Sequence, residues 1–152
     1  MPILLMLSLA TFAGTTPADS LDACGLYTRE EVAALAGEAA KKPRAFSINP
    51  ATHSSCTTAT SSGKLTVKVY IEGYPDKQAL QMSLKALKPV PGLGEDAYWG
   101  QVGPTNGQFH VVVGTTMVSI QTWGSAPGAG TIEKTRPIAD IVVKRYRERY
   151  GK

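Results

Sequence analysis

Two cysteines, two histidines and a short glycine run are the residues of this chain whose types and spacing bear most directly on chemistry. Cys24 and Cys56 are the only thiols. In an oxidising compartment such a pair is expected to close a disulfide, and a loop of that length restrains the unfolded chain by about 3 to 4 kcal/mol in the loop-entropy account. A rival reading takes Leu21-Asp22-Ala23-Cys24 as a lipid-attachment motif, with an acyl chain on Cys24. Asp22 and the distance from the preceding apolar run argue against it, and it would leave Cys56 unpaired.

His53 and His110 share no metal-ligand spacing with each other or with the cysteines, so neither a metal nor another cofactor is expected. His110 stands between Phe109 and Val111 in an alternating run and reads as a satisfied strand histidine rather than a general base. The serines lie in no nucleophile elbow, and the adjacent carboxylates Glu95 and Asp96 would point to opposite faces of a strand. Gly92-x-Gly94-x-x-Ala97 has the outline of a dinucleotide fingerprint. That fingerprint needs a strand before it and a helix after it, whereas here prolines precede and an aromatic strand follows, so the run reads as a tight turn. No catalytic residue is assigned, and the chain is not expected to be an enzyme.

Two surfaces remain as candidates for binding. Tyr98, Trp99 and Trp123 lie beside glycine-rich turns, where large side chains either line a pocket or simply fill a core. Residues 133–152 hold seven basic against three acidic residues, which accounts for the whole net charge of +4. Lys144, Arg145 and Arg147 within that stretch could make a weak contact with an anionic surface, or could form an ordinary solvated helix face. Nucleic acid is not expected as a partner, because the basic excess is confined to one helix of a chain read as secreted.

The elements that must position these residues follow from local signals. Residues 1–13 form an uncharged apolar run, too short for a membrane helix of roughly 20 residues, and read as the core of a signal peptide. Cleavage is expected after Ala13 or after Ala18; residues 1–18 are assigned to the leader and 19–152 to one domain, secreted or periplasmic. Thr28-Arg29-Glu30-Glu31 is a capping box, Tyr27 and Val32 occupy staple positions, and Gly37 suits the helix end. Residues 41–55, with Pro43 and Pro50, are expected to be irregular or an edge segment. Residues 57–61 and 65–71 flank Ser62-Gly63-Lys64 as a hairpin, with Leu65, Val67, Val69 and Ile71 on the core side.

Asp76 is expected to cap a second helix carrying Leu80, Leu84 and Leu87, stopped by Pro89 and Pro91. Strands at Tyr98-Trp99, 108–113 and 116–123 follow, and a last helix from about Thr131 to Tyr150 has Ile138, Ile141, Val142, Tyr146 and Tyr150 as its stripe. Pro137 fits that helix only near its first turn. Helix, strands, helix, strands, helix with short hairpins predicts an α+β fold, a mainly antiparallel β-sheet with helices packed against it.

Asp22-Ala23-Cys24-Gly25-Leu26-Tyr27-Thr28, residues 30–37, Cys56, the run from Pro91 to Trp99 and the helical tail together resemble a family of uncharacterised secreted bacterial envelope proteins, many of them lipoproteins. The resemblance implies a PsbP-like α/β sandwich, secretion and no established activity. Glu95 stands where that family more often has Asp, and without a convincing lipid-attachment motif the anchoring does not carry over. The expectation is therefore a non-catalytic binding or accessory protein of the cell envelope, contacting an envelope protein or a small ligand through its sheet face or its basic helix. The alternatives are an envelope hydrolase with a site near His110, and a secreted inhibitor or structural interaction protein.

Overall fold

The Thr28 hydroxyl accepts the Glu31 amide at 3.1 Å while the Glu31 carboxylate accepts the Thr28 amide at 2.8 Å, so the capping box starts helix α1 (Arg29–Ala36) as its sequence predicts. Gly37 ends it in the left-handed conformation. The computed structural model describes residues 20–93, 96–101 and 103–151; the predicted leader, Gly94 and Glu95 lie outside the described residues. Before α1 comes a single 3-10 turn (Ala23–Leu26) that carries Cys24.

Seven strands form one sheet in the order β1-β2-β3-β7-β6-β5-β4, and every neighbouring pair is antiparallel. They are β1 (Arg44–Phe46), β2 (His53–Ala59), β3 (Thr66–Gly73), β4 (Lys88–Pro89), β5 (Asp96–Gln101), β6 (Asn106–Val113) and β7 (Thr116–Trp123). The sheet is two meanders, β1 to β3 and β4 to β7, sewn together where β3 pairs with β7 over the full length of both. Between β6 and β7 the turn is only Gly114-Thr115, and Gly114 at φ +64° supplies the left-handed conformation that a tight hairpin needs at its first position. Helix α2 (Lys77–Leu84) lies between the meanders in sequence, and helix α3 (Ile132–Tyr150) closes the chain.

Alternation along each strand separates two faces. Val67, Val69 and Ile71 of β3, Val118 and Ile120 of β7, and Phe109 and Val111 of β6 share one face and are fully buried. The 3-10 turn, α1 and α3 cover that face with Leu26, Tyr27, Val32, Ile138, Ala139, Val142 and Tyr146. The sulfurs of Cys24 and Cys56 are bonded, so the opening turn is tied covalently to β2. Tyr27 reinforces the join: its hydroxyl donates to the Cys56 carbonyl at 3.1 Å, and burial pushes its pKa up to about 12.

Two local expectations need correction and one is refined. Residues 41–55 hold the edge segment expected of them, β1, and in addition the start of β2 at His53; the Ser47 hydroxyl donates to the His53 carbonyl and the His53 ring accepts the Ile48 amide, so side chains satisfy the connecting backbone. Helix α2 ends at Leu84, ahead of the prolines, and Pro89 sits instead in the edge strand β4, where a missing amide donor is tolerated. Pro137 is the sixth residue of α3, past the first turn, and the helix runs straight through it. Buried Thr135, Ile138 and Ala139 on either side hold that segment to the sheet, with the Thr135 hydroxyl bonded to the Thr131 carbonyl and to the Thr122 hydroxyl.

Candidate functional site on the open half of the sheet

The opposite face of the sheet is covered only in part. Leu80 and Leu84 of α2 pack on Val112 and Met117, with Tyr74, Leu87 and Tyr98 around them, at one end of the central strands. Beyond that cluster the outward positions are polar, because the alternation that buries Val69, Ile120 and Phe109 turns their neighbours Lys68, Tyr70, Gln121, Gln108 and His110 the other way. Register then aligns them across strands. One row runs Arg44, Thr57, Lys68, Gln121, Gln108, Gly100 from β1 to β5, and the next runs Ser55, Tyr70, Ser119, His110, Tyr98.

The rows enclose two adjoining hollows that share Gln108 and Gln121. The smaller, about 200 Å³, is completed by Lys68, Tyr70 and Ser119. The larger, about 450 Å³, reaches over Gly100 to Leu87, takes in Asn106 and His110, and extends round the β5 edge to Lys88, Trp99 and Gln101, whose carboxamide donates to the Gly130 carbonyl. Gly100 makes room for it: a Cβ there would come within 3.0 Å of the Leu87 side chain. Gln121 donates to the Asn106 carboxamide at 2.9 Å, and the Lys68 ammonium lies 5.7 Å from the centre of the Tyr70 ring. His53, Tyr70 and Phe46 stack edge-on at the β1 side, where Phe46 is 63% exposed.

His110 is the one titratable group of this face with a large shift. Burial pushes it down to about 4 from 6.5, so its ring is neutral near pH 7. Its Nδ1 is 2.9 Å from the Ser119 hydroxyl. Ser119 is only 1% exposed, which leaves its oxygen little access to a reacting molecule. Among the described residues no group of three or more His, Cys, Asp or Glu side chains is placed to hold a metal ion.

The residues singled out from sequence are dispersed. Tyr98 belongs to the α2 cluster, whereas its neighbour Trp99 points to the opposite face, packs on Phe109 at 4.6 Å and lies over Gly107, where any Cβ would overlap its ring. Trp123 lies at the far end of the open face, paired with Asn106 and Thr66. They line no common pocket. On α3, Arg145 is committed to the fold: its guanidinium grips both carboxylate oxygens of Glu31 at 2.6 and 2.7 Å and reaches the Leu26 carbonyl. Lys144 and Arg147 are exposed, beside a shallow groove of about 330 Å³ that also contains Asp140 and Glu148. Gln108, Gln121, Lys68 and Asn106 are not among the residues singled out as site candidates; Lys68, Gln108 and Gln121 each stand beside a core residue on the polar side of an alternating strand, and that alternation is the available signal, whereas Asn106, between Thr105 and Gly107, has none.

Among the described residues no helix is long and apolar enough to cross a membrane. Comparison of the chain with protein-family models, with curated proteins and with solved structures finds no match.

Proposed function

We propose that this chain is a non-catalytic binding or accessory module of the bacterial cell envelope, related to the PsbP-like envelope proteins, and that its contact surface is the open half of the sheet. The observation that carries this reading is the contrast between the two candidate surfaces. Lys68, Gln108 and Gln121 share a hollow that no carboxylate lines, whereas on α3 Arg145 is held by Glu31 and the exposed Lys144 and Arg147 share their groove with Asp140 and Glu148. The Cys24–Cys56 bond supports an oxidising compartment, and the apolar run in residues 1–13 supports export.

A second reading, an envelope hydrolase, draws on the contact between His110 and Ser119. A general base works best with a pKa near the operating pH, and a ring lowered to about 4 is a weak one; the depth of Ser119 counts against it further.

The test is recovery of partners from envelope extract by the disulfide-bonded protein. A Gln108→Arg/Gln121→Arg variant should lose what the unmodified chain retains, and a Lys144→Glu/Arg147→Glu variant should keep it. Equal recovery by the first variant, with unchanged thermal unfolding, removes the sheet face as the contact surface.

A further inference from the structure

We propose that the free edge of β1 rests on an anionic lipid surface, with Lys41, Lys42 and Arg44 at the headgroups and Phe46 and Ile48 entering the layer between headgroups and acyl chains. This contact is separate from the hollows of the open face and goes beyond the reading given above. It starts from an imbalance of charge. Residues 39–71 contain no Asp or Glu and five basic residues, Lys41, Lys42, Arg44, Lys64 and Lys68. Among the described residues none of the five joins an ion pair. The carboxylates that flank the stretch are turned elsewhere: Asp22 faces Arg149, Glu38 accepts from the Ser62 hydroxyl, and Glu72 accepts from the Tyr74 hydroxyl. On α3, by contrast, the cations stand among Glu31, Asp140 and Glu148.

Exposed apolar side chains lie beside these cations. Phe46 is 63% and Ile48 77% exposed, two of the three large apolar side chains left exposed among the described residues. Neither lines the two hollows of the sheet. Their exposure is built into the loop that carries them. The Ile48 amide donates to the His53 ring, the Ser47 hydroxyl donates to the His53 carbonyl, the Leu21 amide donates to the Pro50 carbonyl at 2.9 Å, and the Phe46 ring stands edge-on to that of His53. From Lys41 to Ile48 the chain covers at most about 20 Å at the strand rise, so cations and apolar groups form one stripe along one edge. Charge that draws an anionic surface in and apolar groups that enter it are the two terms of peripheral membrane binding.

Protein partners fit this edge less well. β1 offers a strand of only three residues, and Pro43 ahead of it has no amide to give; lysines and proline on a sheet edge oppose the addition of a further strand. A second copy pairing edge to edge about a two-fold axis would set Lys41, Lys42 and Arg44 against the same three cations.

The test is co-sedimentation of the disulfide-bonded protein with vesicles of phosphatidylcholine alone and of phosphatidylcholine mixed with phosphatidylglycerol, beside binding to soluble polyglutamate. The mixed vesicles should bind at least about tenfold more tightly than phosphatidylcholine, and high salt should collapse that preference. Lys41→Glu/Lys42→Glu should bring the two vesicles within about twofold of each other. Ile48→Ser should weaken binding to the mixed vesicles, and Phe46→Ser/Ile48→Ser should weaken it by about tenfold, with the preference for them retained. Lys144→Glu/Arg147→Glu should bind as the unmodified chain does. Equal binding to both vesicles, or to neither, overturns the proposal, as does undiminished binding by both serine variants. Loss of binding in Lys144→Glu/Arg147→Glu but not in Lys41→Glu/Lys42→Glu overturns it by moving the contact to α3. Tighter binding to polyglutamate than to the mixed vesicles overturns it by making the partner an acidic protein segment. Thermal unfolding of each variant confirms that it is folded, and Ile48→Ser alone keeps the apolar arm decisive where loss of the Phe46 ring disturbs its stacking on His53.

Discussion

The two faces of this sheet are written by the same strands one residue out of step, yet they serve different ends. On the covered face the inward residues are Val, Ile and Phe, closed over by α1, α3 and a disulfide-tethered turn. On the other, a helix of only eight residues protects one end and the rest presents amides, an imidazole and cations. A single register therefore divides the molecule into a part that holds and a part that meets solvent. The lesson is that side chains on the open rows can change without touching the core directly beneath them.

The comparison breaks most sharply at Phe109 and Gln108, adjacent residues on opposite faces. Phe109→Ala should cost about 3 to 5 kcal/mol in urea denaturation, because it empties a fully buried site under α3. Reducing the Cys24–Cys56 bond, or replacing both cysteines with serine, should cost about 2 to 4 kcal/mol by the same measurement, since the covered face loses its covalent tether. Stability after reduction matching the oxidised protein would show that packing alone seats the opening turn.

The open face should announce itself through pH. The unfolded chain binds a proton at His110 near pH 6.5, whereas the folded chain resists it until about 4, so the unfolded state carries more protons between those values. Stability should accordingly be fully present above about pH 6.5, fall by of order 3 kcal/mol as the pH drops to about 4, and level off below. A His110→Gln variant followed by denaturation across that window should lack this slope. An unchanged slope would mean that His110 is not the group responsible.

On the covered side, Arg145→Ala removes the partner that chiefly holds the Glu31 carboxyl below its usual value. The pair's contribution is present above the ordinary carboxylate range and is lost as the pH falls through the folded value of Glu31. Both groups retain some solvent contact, so the loss should be about 1 kcal/mol or less at neutral pH and should shrink with added salt. Smallest of all, Gln121→Ala should shift stability by no more than about 0.5 kcal/mol, with its consequence appearing in binding instead. A much larger destabilisation there would make the open face part of the fold's support.

Local instructions were readable because their physics is local. The capping box needs only Thr28 and Glu31 three residues apart, the hairpins need a glycine between alternating runs, and Cys24 and Cys56 are the only two thiols of the sequence. The strand start at His53 was missed because Ser47 and the His53 ring bond the loop backbone through tertiary geometry that no window of sequence displays. Similarly, Tyr98 and Trp99 looked like one aromatic patch until the pleat sent them to opposite faces, and Arg145 looked free until α3 laid it beside Glu31.

By itself, then, the sequence determined the α+β class, the caps, the alternation of the long strands and the pairing of the two cysteines. Tertiary structure alone decided that β3 and β7 would join the two meanders, that α2 would cover only one end of the second face, and that Arg44, Lys68, Gln121 and Gln108 would fall in one row. The division has a physical basis. Periodicity and capping depend on neighbours within a few residues, whereas a binding row is assembled by hydrogen-bond register between strands distant in the chain, which exists only once the sheet has closed.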